Sequence, residues 1–538
     1  MKLVSNSIGS ILVLMLAGCG GGASDGNGGN VGFGGAQDIG QFRGILEAGG
    51  IPGVSTLDAN GFFNEHYIEL PPPECGQLVC GHAMVAVGRD WVGTEYQAAV
   101  QIGLNTTIDP TTLERMPLNL VVVVDTSGSM AEDDRIGFVR AGLHLLIDEL
   151  QPGDRLGLVE YNTDARILAP LGDPDRETLH ALASALRAQG GTNFYGGLET
   201  GLGMVADAFD LERQNRVVLL SDGQPTAGIT DLGSIIAMAE GYISDGIGLT
   251  TVGVGQSFNV ELMRGLAERG AGNFYYLEDA DAVEEVFTDE LDYFVSPIAL
   301  EVDIEMIAGD AYSIGEVVGT KLWKSEGDSG RVHLPALFVA SRTSDAPDPN
   351  GRRGGGSTIV AQMLPRSGAT SIEPEKMSLL RLSYRLPGAT DRIEQLIEVT
   401  NPNQPGEAPE DVYLSHEAMA KTYAAYNIFL GLRAAAREAE TDYHCALSTL
   451  DATASATAIW NQRYEDPDIA ADQGLIDQFR ANLQARGAVG TACGTGPYGG
   501  GYDDHHGGVY ACSSTGRTGS TATLLLLLCA AVVAARRR

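Results

Sequence analysis

Asp125, Ser127 and Ser129 stand at alternate positions of the segment DTSGSM, directly after the apolar run LNLVVVV and directly before the acidic AEDDR. One carboxylate and two hydroxyls at that spacing admit three chemistries: an activated nucleophile, a metal site, or a polar turn. A serine hydrolase would want G-x-S-x-G and a histidine base, but TSGSM lacks that elbow and none of the nine His residues sits in a recognisable partner motif. An aspartic-protease motif would read Asp-Thr/Ser-Gly, and here an extra residue separates Asp125-Thr126 from Gly128. A phosphoryl-transfer site of the DxDx type needs a second carboxylate where Ser127 stands.

The metal reading draws on two further segments. QGGTNF offers Thr192 before a helical pattern, and LLSDGQP offers Asp222 directly after a strand-like run. Three neutral hydroxyls and two carboxylates suit a hard cation, Mg²⁺ first and Mn²⁺ or Ca²⁺ in its place. With so few charged ligands the ion stays electron-poor and can accept a carboxylate from a partner. The polar-turn reading leaves the same five residues as a degenerate, structural set.

Elements able to bring these loops together run from residue 117 to about 296. LNLVVVVD is a continuous apolar run, as in a strand buried on both faces. RIGFVRAGLHLLIDEL places Ile136, Val139, Leu143, Ile147 and Leu150 on one helical stripe. The strand RLGLVEYN, the helices ETLHALASALRAQ and YGGLETGLGMVADAF, the strand RVVLLSD, the helix LGSIIAMAEGYISDG, the strand GLTTVGVG, the helix VELMRGLAERG, the strand NFYYL and the helix DAVEEVFTDELDYFV follow. This order predicts an α/β fold with a doubly wound, mostly parallel sheet, whose ligands bind at the carboxyl ends of the strands. AEDDR is expected to open the helix after the motif, DGQPTAG to form the loop beside the metal, and the aromatics of NFYYL to pack in the core.

The DxSxS of DTSGSM, the Thr of GGTN and the Asp of LLSDG, in that order and context, resemble the metal-ion-dependent adhesion site (MIDAS) of a von Willebrand factor type A (VWA) domain. The resemblance implies that Asp125, Ser127, Ser129, Thr192 and Asp222 bind the cation, and through it an acidic group of a partner protein, in adhesion or scaffolding and without catalysis. The alternatives are a hydrolase or protease using the Asp125-Ser127-Ser129 loop, and an envelope scaffold whose metal is purely structural. QFRGILEAGGIP with YIELPPP upstream, and strands followed by helices downstream, resemble a bacterial YfbK-like architecture.

The ends of the chain carry targeting signals. Lys2 and the short apolar IGSILVLMLAG read as an export signal. Its end, Leu16-Ala-Gly-Cys19, resembles the lipobox of bacterial lipoproteins, which implies acylation of Cys19 and anchoring to a lipid bilayer; an ordinary signal peptide is the alternative. At the other end Cys512-Ser513, a spacer, TATLLLLLCAAVVAA and Arg536-Arg537-Arg538 resemble a MYXO-CTERM sorting tail, which implies processing or lipidation near Cys512; a plain membrane anchor is the alternative. Both place the protein in a bacterial cell envelope, lipid-anchored at the outer membrane or cell surface. In an oxidising compartment Cys75, Cys80, Cys445 and Cys493 are most simply two structural disulfides. The formal net charge of -35 disfavours nucleic acid as a partner.

The expected organisation is a signal peptide over 1–19, a Gly-rich tether over 20–36 and an N-terminal flanking region over 37–114. The VWA domain takes 115–296, a β-rich domain read as a small sandwich takes 297–405, and a helical region takes 406–490. A Gly-rich spacer over 491–520, whose Asp503 to His506 stretch is read as solvated, and a hydrophobic tail with its Arg cluster over 521–538 close the chain.

Overall fold

The computed structural model describes residues 29–490 apart from 93–95, 109–115, 174, 256–257, 278–285, 288–296, 341, 343, 345–351, 367–375, 404–411 and 415. Cys19, Cys493, Asp503 to His506, Cys512 and the hydrophobic tail lie outside the described residues. Of the expected helix DAVEEVFTDELDYFV only Val286 and Phe287 are described, and both are buried.

The chain opens with strands β1 (Gly29–Gly32) and β2 (Gly35–Ala36), helices α1 (Gly40–Glu47) and α2 (Ala59–Asn64), and strands β3 (Val79–Arg89) and β4 (Tyr96–Thr106). The α/β portion follows. It contains β5 (Leu118–Asp125), α3 (Arg135–Glu149), β6 (Arg155–Tyr161), β7 (Ala165–Gly172), α4 (Arg176–Ala185) and α5 (Phe194–Asp207). It continues with β8 (Gln214–Ser221), α6 (Leu232–Ser244), β9 (Gly248–Val254), α7 (Val260–Arg269) and β10 (Asn273–Leu277). Asp or Asn side chains cap α4, α5, α6 and α7, each accepting a backbone N–H of the first turn.

These strands form a seven-stranded sheet in the order β2-β10-β9-β8-β5-β6-β7. All neighbours are parallel except β6 and β7. Every residue of β5 is buried, because helices cover both faces: Val122 and Val124 pack toward α3, Val121 and Val123 toward α5. Two edges depart from the sequence expectation. β7 was not anticipated, since ARILAPLG alternates poorly and carries Pro170, which an edge strand tolerates. β2, at the opposite edge, comes with β1 from residues 29–36, which were expected to end a Gly-rich tether but are buried, because pairing with β10, β4 and β14 supplies the order that their small side chains do not specify.

The acidic AEDDR precedes its helix instead of opening it. A tight-helical segment, Gly128–Asp134, breaks at Glu132 to Asp134, and Asp133 and Asp134 both adopt left-handed backbone (φ 49° and 54°) before α3 starts at Arg135. Two consecutive left-handed residues are costly for anything but Gly, Asn or Asp, which accounts for the Asp pair.

Beyond residue 297 come β11 (Ala299–Ala308), β12 (Tyr312–Val318), β13 (Lys324–Glu326), β14 (Ser329–Val339), β15 (Thr358–Pro365), β16 (Lys376–Arg385) and β17 (Arg392–Thr400). The flanking region and the β-rich region, read as two units from the sequence, contribute to one ten-stranded antiparallel sheet, β12-β15-β4-β1-β14-β11-β16-β17, with β3 on β4 and β13 on β14. The four residues of β1 join its halves, pairing with β4 on one side and β14 on the other. The sheet folds over on itself, burying Val100, Ile102 and Leu104 against Val302, Leu334 and Leu382 as a sandwich would. The α/β portion is thus an insertion between β4 and β11.

Three helices complete the fold: α8 (Glu417–Ala439), α9 (Tyr443–Tyr464) and α10 (Pro467–Ala485). Tyr423 and Phe429 of α8 pack with Ala86, Ala99 and Val360 of the sheet and with Phe62 and Phe63 of α2. Buried charges tie the same elements: Arg342 donates to Asp468 Oδ1 (2.9 Å), Lys421 to Asp468 Oδ2 (2.8 Å) and Arg352 to Asp472 Oδ1 (2.8 Å), while His66 Nε2 meets Asp472 Oδ2 at 2.7 Å. A disulfide joins Cys75 and Cys80, and Cys445 is also disulfide-bonded. No helix among the described residues is long and apolar enough to cross a membrane.

Candidate metal centre

Asp125 ends β5, and its own following loop together with the two neighbouring strands delivers polar groups to its buried carboxyl. Oδ1 accepts the Ser127 backbone N–H (2.8 Å); Oδ2 accepts the hydroxyls of Ser221 (2.7 Å), at the end of β8, and Tyr161 (3.3 Å), at the end of β6. Burial pushes the carboxyl up to about 6; the Ser127 and Ser221 hydrogen bonds oppose this, and the nearby Asp222 adds to it.

The remaining oxygens form a chain. Ser127 Oγ lies 3.1 Å from Ser129 Oγ, and Ser129 Oγ donates to Asp222 Oδ1 (2.8 Å). Asp222 follows Ser221 immediately, so its register on β8 places it beside the β5 loop. Its other oxygen accepts Arg135 Nη1 (2.8 Å), which brings a buried guanidinium from the first residue of α3 to the edge of the site.

Thr192 arrives on the loop capped by Asn193, whose side chain accepts Gly196 N–H to start α5. Backbone bonds clip this loop to its neighbours: Gln189 N donates to Thr126 O (2.7 Å), Gly128 N to Gly190 O (3.1 Å), and Thr226 N and Ala227 N both to Thr192 O (3.0 and 3.1 Å). The DGQPTAG loop therefore does lie beside Thr192. A Cβ on Gly223 would sit 3.6 Å from Thr192 Oγ1 and 3.8 Å from Ser129 Oγ, so both hydroxyls border the small space that this glycine leaves open.

The structure thus gathers all five residues at the carboxyl ends of β5 and β8. Sequence reasoning missed Tyr161, Ser221 and Arg135. Ser221 was legible as the neighbour of Asp222; nothing local pointed Tyr161 or Arg135 inward. Among the described residues no three His, Cys, Asp or Glu side chains come together as a metal site, so an ion here would depend on the hydroxyls. Two carboxylates and three hydroxyls gathered at the ends of β5 and β8 and on the adjoining loop are the donor types a hard divalent cation takes, and the residues fit it. Ser127 and Ser129 have each other and Asp222 as side-chain partners, with no histidine base.

Residues 119–289 match the von Willebrand factor type A domain family. The uncharacterized protein YfbK of Escherichia coli is 33% identical over 36% of this chain and 34% of its own length. Human inter-alpha-trypsin inhibitor heavy chain H4 is 28% identical over 30% of this chain and 18% of its own. The chain therefore spans about a third or less of each of these two relatives. The structure of a von Willebrand factor type A protein from Catenulispora acidiphila aligns over 76% of this chain and 90% of that one, with 16% identity and a TM-score of 0.49. The chain contains a VWA domain and is homologous to YfbK.

Proposed function

We propose that this protein is an exported VWA protein that binds a divalent cation at Asp125, Ser127, Ser129, Thr192 and Asp222, and through it a carboxylate of a partner protein. The observation that carries the reading is the convergence of five oxygen-bearing side chains from three separate loops on one edge of the sheet. Those residues would hold Mg²⁺, or Mn²⁺ or Ca²⁺ in its place, which supplies a Lewis-acid position for an incoming carboxylate. The chain's own groups do the rest. Asp125 is held by Ser127, Ser221 and Tyr161, Asp222 is oriented by Ser129 and Arg135, and the neutral serines leave the ion short of negative charge. The protein acts as a binder and not as an enzyme, anchored in the envelope by a lipid on Cys19, with no role for nucleic acid.

Calorimetric titration of Mg²⁺ or Mn²⁺ into wild type and Asp125→Ala tests the site. Saturable heat in the wild type alone supports it, and no metal-dependent heat in the wild type sinks it. A pull-down from surface extracts with and without EDTA tests the partner. Should Asp222→Ala lower the melting temperature while capture persists, the metal is structural and the scaffold reading stands instead.

A further inference from the structure

On the outer face of the VWA domain, away from the loops just described, two histidines meet. His144 of α3 and His180 of α4 stack with ring centroids 5.0 Å apart and their Nδ1 atoms 2.7 Å apart. Each ring's other nitrogen has its own partner. His180 Nε2 lies 3.2 Å from Asp148 Oδ1, one turn along α3 from His144, and His144 Nε2 lies 3.2 Å from Ser184 Oγ, one turn along α4 from His180. The i, i+4 spacing on two packed helices produces this reciprocal arrangement.

The hydrogen bonds constrain the tautomers. An ionised carboxylate only accepts, so His180 Nε2 carries the proton and, in the neutral ring, His180 Nδ1 presents a lone pair. That lone pair faces His144 Nδ1 at hydrogen-bond distance, so the contact is filled either by the hydrogen of a neutral His144 Nδ1–H or, when that hydrogen is lost, by a metal ion. The Ser184 hydroxyl serves both states. It donates to His144 Nε2 when His144 Nδ1 holds the proton, and it rotates to accept from Nε2–H when Nδ1 becomes a ligand.

We infer that His144 and His180 form an open transition-metal site, binding a divalent ion such as Zn²⁺ through both Nδ1 atoms, with Asp148 and Ser184 orienting the rings and water completing the shell. Imidazole nitrogens suit late first-row ions and not Mg²⁺, so this site is chemically orthogonal to the oxygen-lined one. A carboxylate on the far nitrogen of a ligating histidine is the usual supporting arrangement. Zinc–nitrogen bonds of about 2.0–2.1 Å need the two nitrogens about 3.3 Å apart, an opening of about 0.6 Å from the 2.7 Å between them. The surface position permits it, since the His180 side chain is about one-third exposed (32%) and that of Asp148 nearly two-thirds (64%).

The inference is independent of the adhesion reading, and its test separates the two. Zn²⁺ is titrated calorimetrically into full-length protein saturated with Mg²⁺. We expect a binding event that persists in Asp125→Ala, is absent from His144→Ala and from His180→Ala, and weakens about tenfold in Asp148→Asn. With Cu²⁺ in place of Zn²⁺, electron paramagnetic resonance should show two nitrogen ligands in the wild type and one in either single variant. Thermal melts of the apo-variants verify that these surface substitutions leave the fold intact. Zn²⁺ heats in the His144→Ala/His180→Ala double variant equal to wild type would overturn the proposal and leave the pair merely sharing a proton. Loss of the event in Asp125→Ala alone would assign the ion to the other site.

Discussion

The Asp125 carboxyl has its usual value near 3.8 in the unfolded chain and about 6 in the fold, because burial outweighs the hydrogen bonds to the anion. The unfolded state therefore releases this proton first as pH rises. Its contribution to the stability of the metal-free protein is complete below about 3.8 and is lost as pH climbs through about 6. Cation binding runs the other way, since it needs the anion. Mn²⁺ affinity should fall about tenfold between pH 7 and pH 5, as calorimetry at each pH would register. Ser221→Ala removes a 2.7 Å hydrogen bond to the same carboxylate. It should cost about 1.5–3 kcal/mol in urea denaturation at pH 7.5 and move the Asp125 titration upward. Four of the five expected ligands were readable because polar residues follow apolar strand runs, and Thr192 because it sits in a Gly-Gly-Thr-Asn turn before a helical pattern. Tyr161 and Arg135 were not readable: one ends an ordinary amphipathic strand, the other begins an ordinary helix, and only sheet order brings both to Asp125 and Asp222.

At the scale of elements, the seam between the chain's N-terminal stretch and the VWA sheet is the two-residue strand β2, part of the expected tether. Gly35 N donates to Gly272 O (2.8 Å), and a Cβ on Gly272 would lie 2.1 Å from Leu249 O, a backbone atom that cannot swing away. Gly272→Ala should therefore part β10 from β9 and β2, lowering the urea midpoint by an amount equivalent to about 1–3 kcal/mol. Metal binding at the far end of β5 should survive at reduced temperature. Long periodic segments such as LNLVVVVD and RIGFVRAGLHLLIDEL were legible because their burial follows from their own period. β2 was not: Gly-Ala has no strand propensity of its own, and only pairing with β10 makes it one. β7 was hidden by Pro170 and weak alternation, which matter little at an antiparallel edge.

Across the whole molecule, the VWA domain is held by what it interrupts. Arg264 of α7 donates to Ser55 O (3.1 Å) and Thr56 O (3.3 Å), Glu268 accepts Thr320 Oγ1 (2.6 Å), and Arg216 lies over the Phe338 ring at 5.7 Å. Residues 115–296 expressed alone lose those partners, and should melt below the corresponding transition of the full chain in differential scanning calorimetry. Farther away, Asp472→Ala would remove the closest partner of Arg352, which keeps Glu65 (3.7 Å) and Asp468 (3.8 Å), and the carboxylate of buried His66, at a cost of about 3 kcal/mol. Burial opposes ionisation of Asp472, but His66 and Arg352 more than offset it and hold its carboxyl below 3.8. Its contribution is thus present above about pH 4 and lost as pH falls further, so acid should loosen α10 from the sheet. The sequence by itself determined the α/β rhythm, the β-rich and helical stretches after it, and which five oxygen-bearing residues to look for, because each is written in local spacing and in polarity at the ends of elements. Only the tertiary structure decided that strands before and after the VWA domain close one sheet, that buried ion pairs lock the helices onto it, and that His144 and His180 face each other. Those arrangements join residues up to hundreds of positions apart, and hydrogen-bond pairing and the shared burial of charge and apolar surface select them, neither of which is expressed in the pattern of any single segment.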